Sequence, residues 1–139
     1  MRPVLSVCVI GLLAGGCGAA EAVTREEGPR SPGRGNFTLY VSNQSFERAE
    51  VDIRVEIDGD VVASDEFPVE NQHNWVEFRL PLRPGTHVIR AITERGDATL
   101  ERTFRVKGKR WAILDYWCCD DAQDPRFTFD VFKRPVAFA

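Results

Sequence analysis

Val51-Asp52-Ile53-Arg54-Val55-Glu56-Ile57-Asp58-Gly59 is the stretch that decides the fold. Valine and isoleucine take every second position from 51 to 57, and charged residues take the positions between. Successive side chains of an extended strand point to opposite faces, so this pattern makes a strand with one apolar and one charged face. Asp58-Gly59 follows at once. Such a pair suits a two-residue hairpin turn, whose central residues need positive φ. Asp60 to Val69 is then the returning strand. Its alternation breaks at Val61-Val62, and Pro68 marks an edge or a bulge.

The same period continues on both sides. Phe37, Leu39 and Val41 alternate with Thr38, Tyr40 and Ser42, and Val76, Phe78, Leu80 and Leu82 alternate with Glu77, Arg79 and Pro81. Arg83 to Thr86 is a turn with Pro84 and Gly85. Beyond it, His87, Ile89 and Ala91 alternate with Val88, Arg90 and Ile92. Gly96-Asp97 and Gly108 punctuate the chain around a strand in which Leu100, Phe104 and Val106 oppose Glu101, Thr103 and Arg105. Trp111 to Trp117 is mostly apolar and reads as a strand covered on both sides; Cys118 to Pro125 is a polar loop. Phe127, Phe129 and Val131 close the set, with Val136 and Phe138 in a short tail. Seven or eight evenly spaced strands without helical periodicity predict an all-β fold, an antiparallel immunoglobulin-like β-sandwich over residues 36–139.

Leu82-Arg83-Pro84-Gly85-Thr86-His87-Val88-Ile89-Arg90-Ala91 resembles a hairpin of bacterial immunoglobulin-like and transthyretin-like surface domains. The resemblance implies a sandwich and carries no catalytic residue, and fold alone does not give function.

The first residues read as an address. Met1-Arg2 is a short positive start, and Val4 to Gly16 holds no charge. That run is too short for a spanning helix of about 20 residues and fits the apolar region of a secretory signal. Ala14-Gly15-Gly16 and then Cys17 complete it. Met1 to Cys17 resembles the bacterial lipoprotein signal, departing from it at Ala14, where the family prefers leucine. The resemblance implies removal of residues 1–16 and a diacylglyceryl thioether on Cys17. The alternative is an ordinary signal cleaved near Ala19-Ala20. One acyl chain holds weakly while two anchor stably, so lipidation would tether the chain to a membrane without crossing it. Residues 17–35 then form a linker whose only sizeable apolar residue is Val23. A flexible chain of that length spans roughly 20–25 Å.

Composition bounds the task. The 139 residues are 43% hydrophobic and 28% charged, enough for one globular domain. The formal net charge is −3, and removal of the signal takes away Arg2 and no acid. Without a basic excess, the chain is not expected to bind nucleic acid, and the acyl anchor, not charge, must hold it to a membrane.

Cys118 and Cys119 are adjacent, and exported proteins seldom keep free thiols. Neighbouring Cα atoms sit about 3.8 Å apart, whereas relaxed disulfides prefer about 4.4–6.8 Å, so a bond between them would close a strained, reducible ring. Three readings stand: a vicinal disulfide, two thiols or intermolecular pairing, and metal ligation or redox chemistry. Asp115, Asp120, Asp121 and Asp124 are close enough in sequence to suggest calcium, but the run lacks the spacing and glycine of an EF-hand loop and reads as a solvated acidic loop. His73 falls in a polar loop, and His87 begins a strand and packs or hydrogen-bonds there. Trp75, Tyr116 and Trp117 are the candidate ligand-binding rings: Trp75 has outward parity, and Tyr116 and Trp117 sit at a strand end beside the acidic loop. Core capping is the alternative role for Trp75 and Trp117.

No Gly-x-Ser-x-Gly, Ser-x-x-Lys, phosphate-loop or His-Glu-x-x-His motif occurs. The expectation is therefore a non-enzymatic lipoprotein on the extracytoplasmic face of a membrane, or on the outer membrane of a two-membrane host. No cofactor or metal is expected. Its sandwich binds an envelope protein or other ligand, or supports an assembly there. One alternative is a carbohydrate- or peptidoglycan-binding module using Trp75, Tyr116 and Trp117. The other is a metal or thiol-redox accessory using Cys118 and Cys119.

Overall fold

The computed structural model of the chain describes residues 35–69, 75–119 and 124–138. Cys17, the signal, residues 17–34 of the linker, His73, Asp120 and Asp121 lie outside the described residues. Eight strands and no helix occur among them: β1 (Phe37–Asn43), β2 (Glu50–Ile57), β3 (Asp60–Pro68), β4 (Val76–Leu80), β5 (Gly85–Thr93), β6 (Ala98–Val106), β7 (Arg110–Trp117) and β8 (Arg126–Phe132). They form two four-stranded sheets, sheet A in the order β4-β1-β7-β8 and sheet B in the order β3-β2-β5-β6.

The deciding stretch folds as its period requires. Val51, Ile53, Val55 and Ile57 are buried, while Asp52, Arg54 and Glu56 face outward. Asp58 and Gly59 take φ of 53° and 89°, joining β2 to β3 through a two-residue turn. Val55 pairs with Ala63 but Glu56 pairs with Val61, so Val62 is the extra residue of a bulge. The bulge buries both Val62 and Ala63 and accounts for the broken alternation. Pro68 lies on an edge strand, where a missing backbone donor costs least.

Three expectations need correction. The sheets are not wholly antiparallel: β1 runs parallel to β7, from Phe37 opposite Arg110 to Asn43 opposite Tyr116. A parallel neighbour requires a long crossover, and here strands β2 to β6 supply it. Strand β7 is also not covered evenly. Ala112, Leu114 and Tyr116 are fully buried, whereas Trp111, Ile113, Asp115 and Trp117 are half-buried on the outer face. Val76, expected to point inward, is 44% exposed at the start of edge strand β4.

The core lies between the sheets. Phe37, Leu39, Val41, Leu114 and Tyr116 of sheet A meet Ile53, Val55, Ile89 and Ala91 of sheet B. Phe104 of β6 reaches across to Phe37 and Phe129, with ring centroids 5.1 and 5.5 Å away. The entry to the domain is pinned by Asn36. Its side chain donates to the carbonyl of Leu82 and accepts from the Leu82 amide, both at 2.8 Å. Gly35 lies so close to Leu80 that a Cβ would sit 2.5 Å from the Leu80 nitrogen, which only glycine avoids.

His87 is buried at the start of β5. Its Nδ1 lies 2.6 Å from Asp58 Oδ2, and its Nε2 lies 2.8 Å from the carbonyl of Arg83. Both partners are acceptors, so the doubly protonated ring satisfies both contacts. Burial alone would lower its pKa, but the bond to Asp58, the Arg83 carbonyl and the Asp58 charge outweigh it and raise the value above 6.5. The bond from His87, then that from the Val88 amide, holds the Asp58 carboxyl below 3.8. The His87 contribution is therefore complete below pH 6.5 and is lost as pH rises through the raised value. The Asp58 contribution is complete above 3.8 and is lost as pH falls through the depressed one. Thermal midpoints measured from about pH 5 to about pH 9 should fall with rising pH in the parent and less steeply in His87→Gln. Parallel curves would contradict the assignment.

Candidate functional site

The outer face of sheet A is read from its registers. Thr38 lies between Arg79 and Trp111, and Trp111 lies opposite Phe132. Tyr40 lies between Glu77 and Ile113, and Ser42 lies beside Asp115, which pairs with Thr128. The face is thus a grid of rings, short polar groups and a few charges, whereas the outer face of β2 carries charge at every position.

Two features occupy this face. Near the N-terminal end of β1 is a groove of about 600 Å³ lined by Gly35, Asn36, Thr38, Tyr40, Glu77, Arg79, Lys109, Arg110 and Trp111. Burial, then the charge and hydrogen bond of Glu77, raises the Tyr40 pKa above 10.0. Its hydroxyl therefore stays protonated. Arg79 is paired with Glu77. The other feature lies near the C-terminal end of β1, where Phe138 of the tail stacks on Trp75 at 4.1 Å and meets Tyr40 edge-on at 5.0 Å.

Trp75 and Asp115 are brought together. The indole Nε1–H donates to Asp115 Oδ1 at 3.1 Å, and the Ser42 hydroxyl donates to the same oxygen at 2.6 Å. Burial raises the Asp115 pKa; the Ser42 and Trp75 bonds oppose that, and the charge of Asp130 adds to it. Asp115 is thus a hub that holds Trp75 down. Trp117 is half-buried, with its indole donating to Thr128 Oγ1 at 3.1 Å.

Tyr116 must be corrected as a candidate ring. It is fully buried between the sheets, and its hydroxyl donates to the Gly96 carbonyl at 2.8 Å. No face of it reaches a ligand. Asp115 on one side of β7 places Tyr116 on the other, a parity signal obscured by the apolar character of the whole strand.

The end of the sandwich beside Tyr116 is polar and fully bonded. Ser42, Asn43, Gln44 and Ser45 are all buried. Asn43 donates to the carbonyls of Arg48 and Phe67, and Gln44 donates from its backbone to Tyr116. Among the described residues, no buried side-chain nitrogen or oxygen lacks a partner. Cys118 and Cys119 close this end, with sulfurs at bonding distance and Cα atoms 3.6 Å apart. Cys118 is 3% exposed and Cys119 half-buried. Cys119 has φ of 72°, a left-handed conformation costing a non-glycine residue about 1–2 kcal/mol. Arg48 Nε donates to Cys118 Sγ at 3.4 Å.

A second depression, of about 400 Å³, lies on sheet B among Asp52, Arg54, Asp65, Glu66 and Glu94. Asp52 is committed to the β5–β6 turn. Burial opposes its ionisation, but the amides of Glu94 and Arg95 and the Thr93 hydroxyl outweigh that and lower its pKa. No group of three or more His, Cys, Asp or Glu is placed to hold a metal among the described residues.

No protein-family model and no curated protein matches the chain. The groove was not singled out from the sequence. Its two rings, Tyr40 and Trp111, belong to strands far apart in the chain and line one groove only through the parallel register.

The core assignment of Tyr116 predicts that Tyr116→Phe, which strands the Gly96 carbonyl, lowers stability by about 1–2 kcal/mol in denaturant unfolding. An unchanged midpoint would contradict it.

Proposed function

We propose that this chain is a membrane-tethered, non-catalytic binding protein of the cell envelope, which takes an acidic cell-wall saccharide in the groove on sheet A. The observation that carries the reading is the lining of that groove: Tyr40 and Trp111 beside Thr38, Glu77, Arg79, Lys109 and Arg110. Aromatic rings stack on the C–H faces of sugars at low entropic cost. Lysine and arginine on the rim complement carboxylates. A concave site with rings and a few polar groups is the usual form of a small-ligand site. Gly35 lines the same groove, so the linker would leave the domain beside its ligand.

The anchor is part of the proposal. The signal-like run ending at Cys17 supports lipidation there, and two or more acyl chains suffice for stable attachment. The finer fold is also proposed, as the transthyretin-like rather than the immunoglobulin-like sandwich. Immunoglobulin domains keep their first two strands in one sheet. Here β1 and β2 lie in different sheets, which supports the transthyretin-like arrangement.

Two measurements test the proposal. The parent chain should be retained on insoluble peptidoglycan and quenched in tryptophan fluorescence by its soluble fragments. Trp111→Ala should weaken binding about tenfold, equivalent to about 1.4 kcal/mol, while Trp75→Ala should change it less. No retention of the parent, or equal loss in both variants, would overturn the groove assignment. For the anchor, Cys17→Ser should move the protein from the membrane to the soluble fraction. A soluble parent would refute it.

A further inference from the structure

We propose that Cys118–Cys119 is a thiol–disulfide exchange site of fixed polarity, in which an incoming thiolate attacks Cys119 and Cys118 is the leaving sulfur. The inference is independent of the saccharide reading and concerns the opposite end of β1.

Access sets the point of attack. Cys118 is 3% exposed and belongs to the core cluster, whereas Cys119 is half-buried at the margin of that cluster. The positive φ of Cys119 turns the chain there. Cys118 therefore presents almost no surface to an incoming thiolate, whereas Cys119 is partly open to one.

Charge sets the leaving group. The Arg48 Nε–H already points at Cys118 Sγ, at 3.4 Å. A guanidinium beside a sulfur stabilises its thiolate, and a leaving thiol of lower pKa departs faster. Arg48 is held before any reaction occurs. Its amide donates to Ser45 Oγ at 3.0 Å, its carbonyl accepts from Asn43 Nδ2 at 2.9 Å, and its Nη1 donates to the Arg95 carbonyl. Two of these three partners, Asn43 and Ser45, come from the buried segment at and just after the end of β1.

The chemistry balances with a thiol reductant, either a small thiol or the dithiol of a partner protein. Its thiolate forms a bond to Cys119 Sγ as the Cys118–Cys119 bond breaks, and the electron pair leaves on Cys118 Sγ. A second thiolate attacks the reductant's sulfur in the mixed disulfide and releases Cys119 as thiolate. The reductant leaves as a disulfide, and the cysteine pair has gained two electrons. In the reverse direction, Cys118 is the nucleophile held next to its target.

The test uses reduced glutathione on the intact chain in detergent, with acid quenching and peptide mass mapping. The first adduct should lie on Cys119, with Cys118 free. Arg48→Gln should slow its formation about three- to tenfold, as a leaving thiol without its cation requires. Arg48→Lys should recover part of the rate. The position of the adduct in the unaltered chain is read without any variant, and a separate fold check by circular dichroism guards against a loosened turn. In Cys119→Ser, the thiolate absorbance of Cys118 should titrate at lower pH than in the Cys119→Ser/Arg48→Gln double variant. An adduct first on Cys118, no adduct at all, or equal rates with and without Arg48 would overturn the proposal.

Discussion

The parallel pairing of β1 with β7 is the contact on which the rest of the structure depends. Strand β1 lies between β4 and β7, so its backbone bonds on both sides. Its inward residues, Phe37, Leu39 and Val41, are fully buried. Its outward residues then fall into register with β7: Thr38 beside Trp111, Tyr40 beside Ile113, and Ser42 beside Asp115. A slip by one residue would turn every side chain of β1 to the other face. It would put Thr38, Tyr40 and Ser42 into the core and dismantle the groove and the Asp115 hub together.

The same pairing separates two kinds of chemistry along one strand. At the start of β1 the molecule is open, with rings, a phenol kept protonated and cationic residues around a groove. At its end the chain dives into buried, fully bonded polar groups from Ser42 to Ser45. Those groups fix the Arg48 turn against Cys118. A satisfied polar network in a low-dielectric setting is rigid, which suits a cation that must meet a developing thiolate without moving.

Local patterns were legible in the sequence and distant ones were not. The strand at 51–57, its Asp58-Gly59 turn and the bulge at Val62 each follow from a few neighbouring residues. The eight-stranded, two-sheet, all-β class follows from their repetition. His87 was readable as a packed, hydrogen-bonded strand residue. The parallel β1–β7 register was hidden because nothing near Phe37 records what lies beside it. The groove was hidden with it, since Tyr40 and Trp111 share a wall only through that register. Tyr116 was misplaced because β7 is apolar on both faces, leaving Asp115 as its one clear parity mark. Trp75 was legible as outward-facing, but its cover by Phe138 depends on a tail that carries no strand pattern.

Native-state hydrogen exchange tests the central role of β1 most directly. If β1 is the shared support of both sites, the amides of Leu39 and Val41 exchange only through global unfolding. They should then match Leu114 of β7 and Ile53 of β2 in opening free energy, and track the denaturant-measured stability of the domain. Exchange of β1 through a separate, lower-energy opening, with β7 and β2 still protected, would show that the core stands without it and would contradict the account.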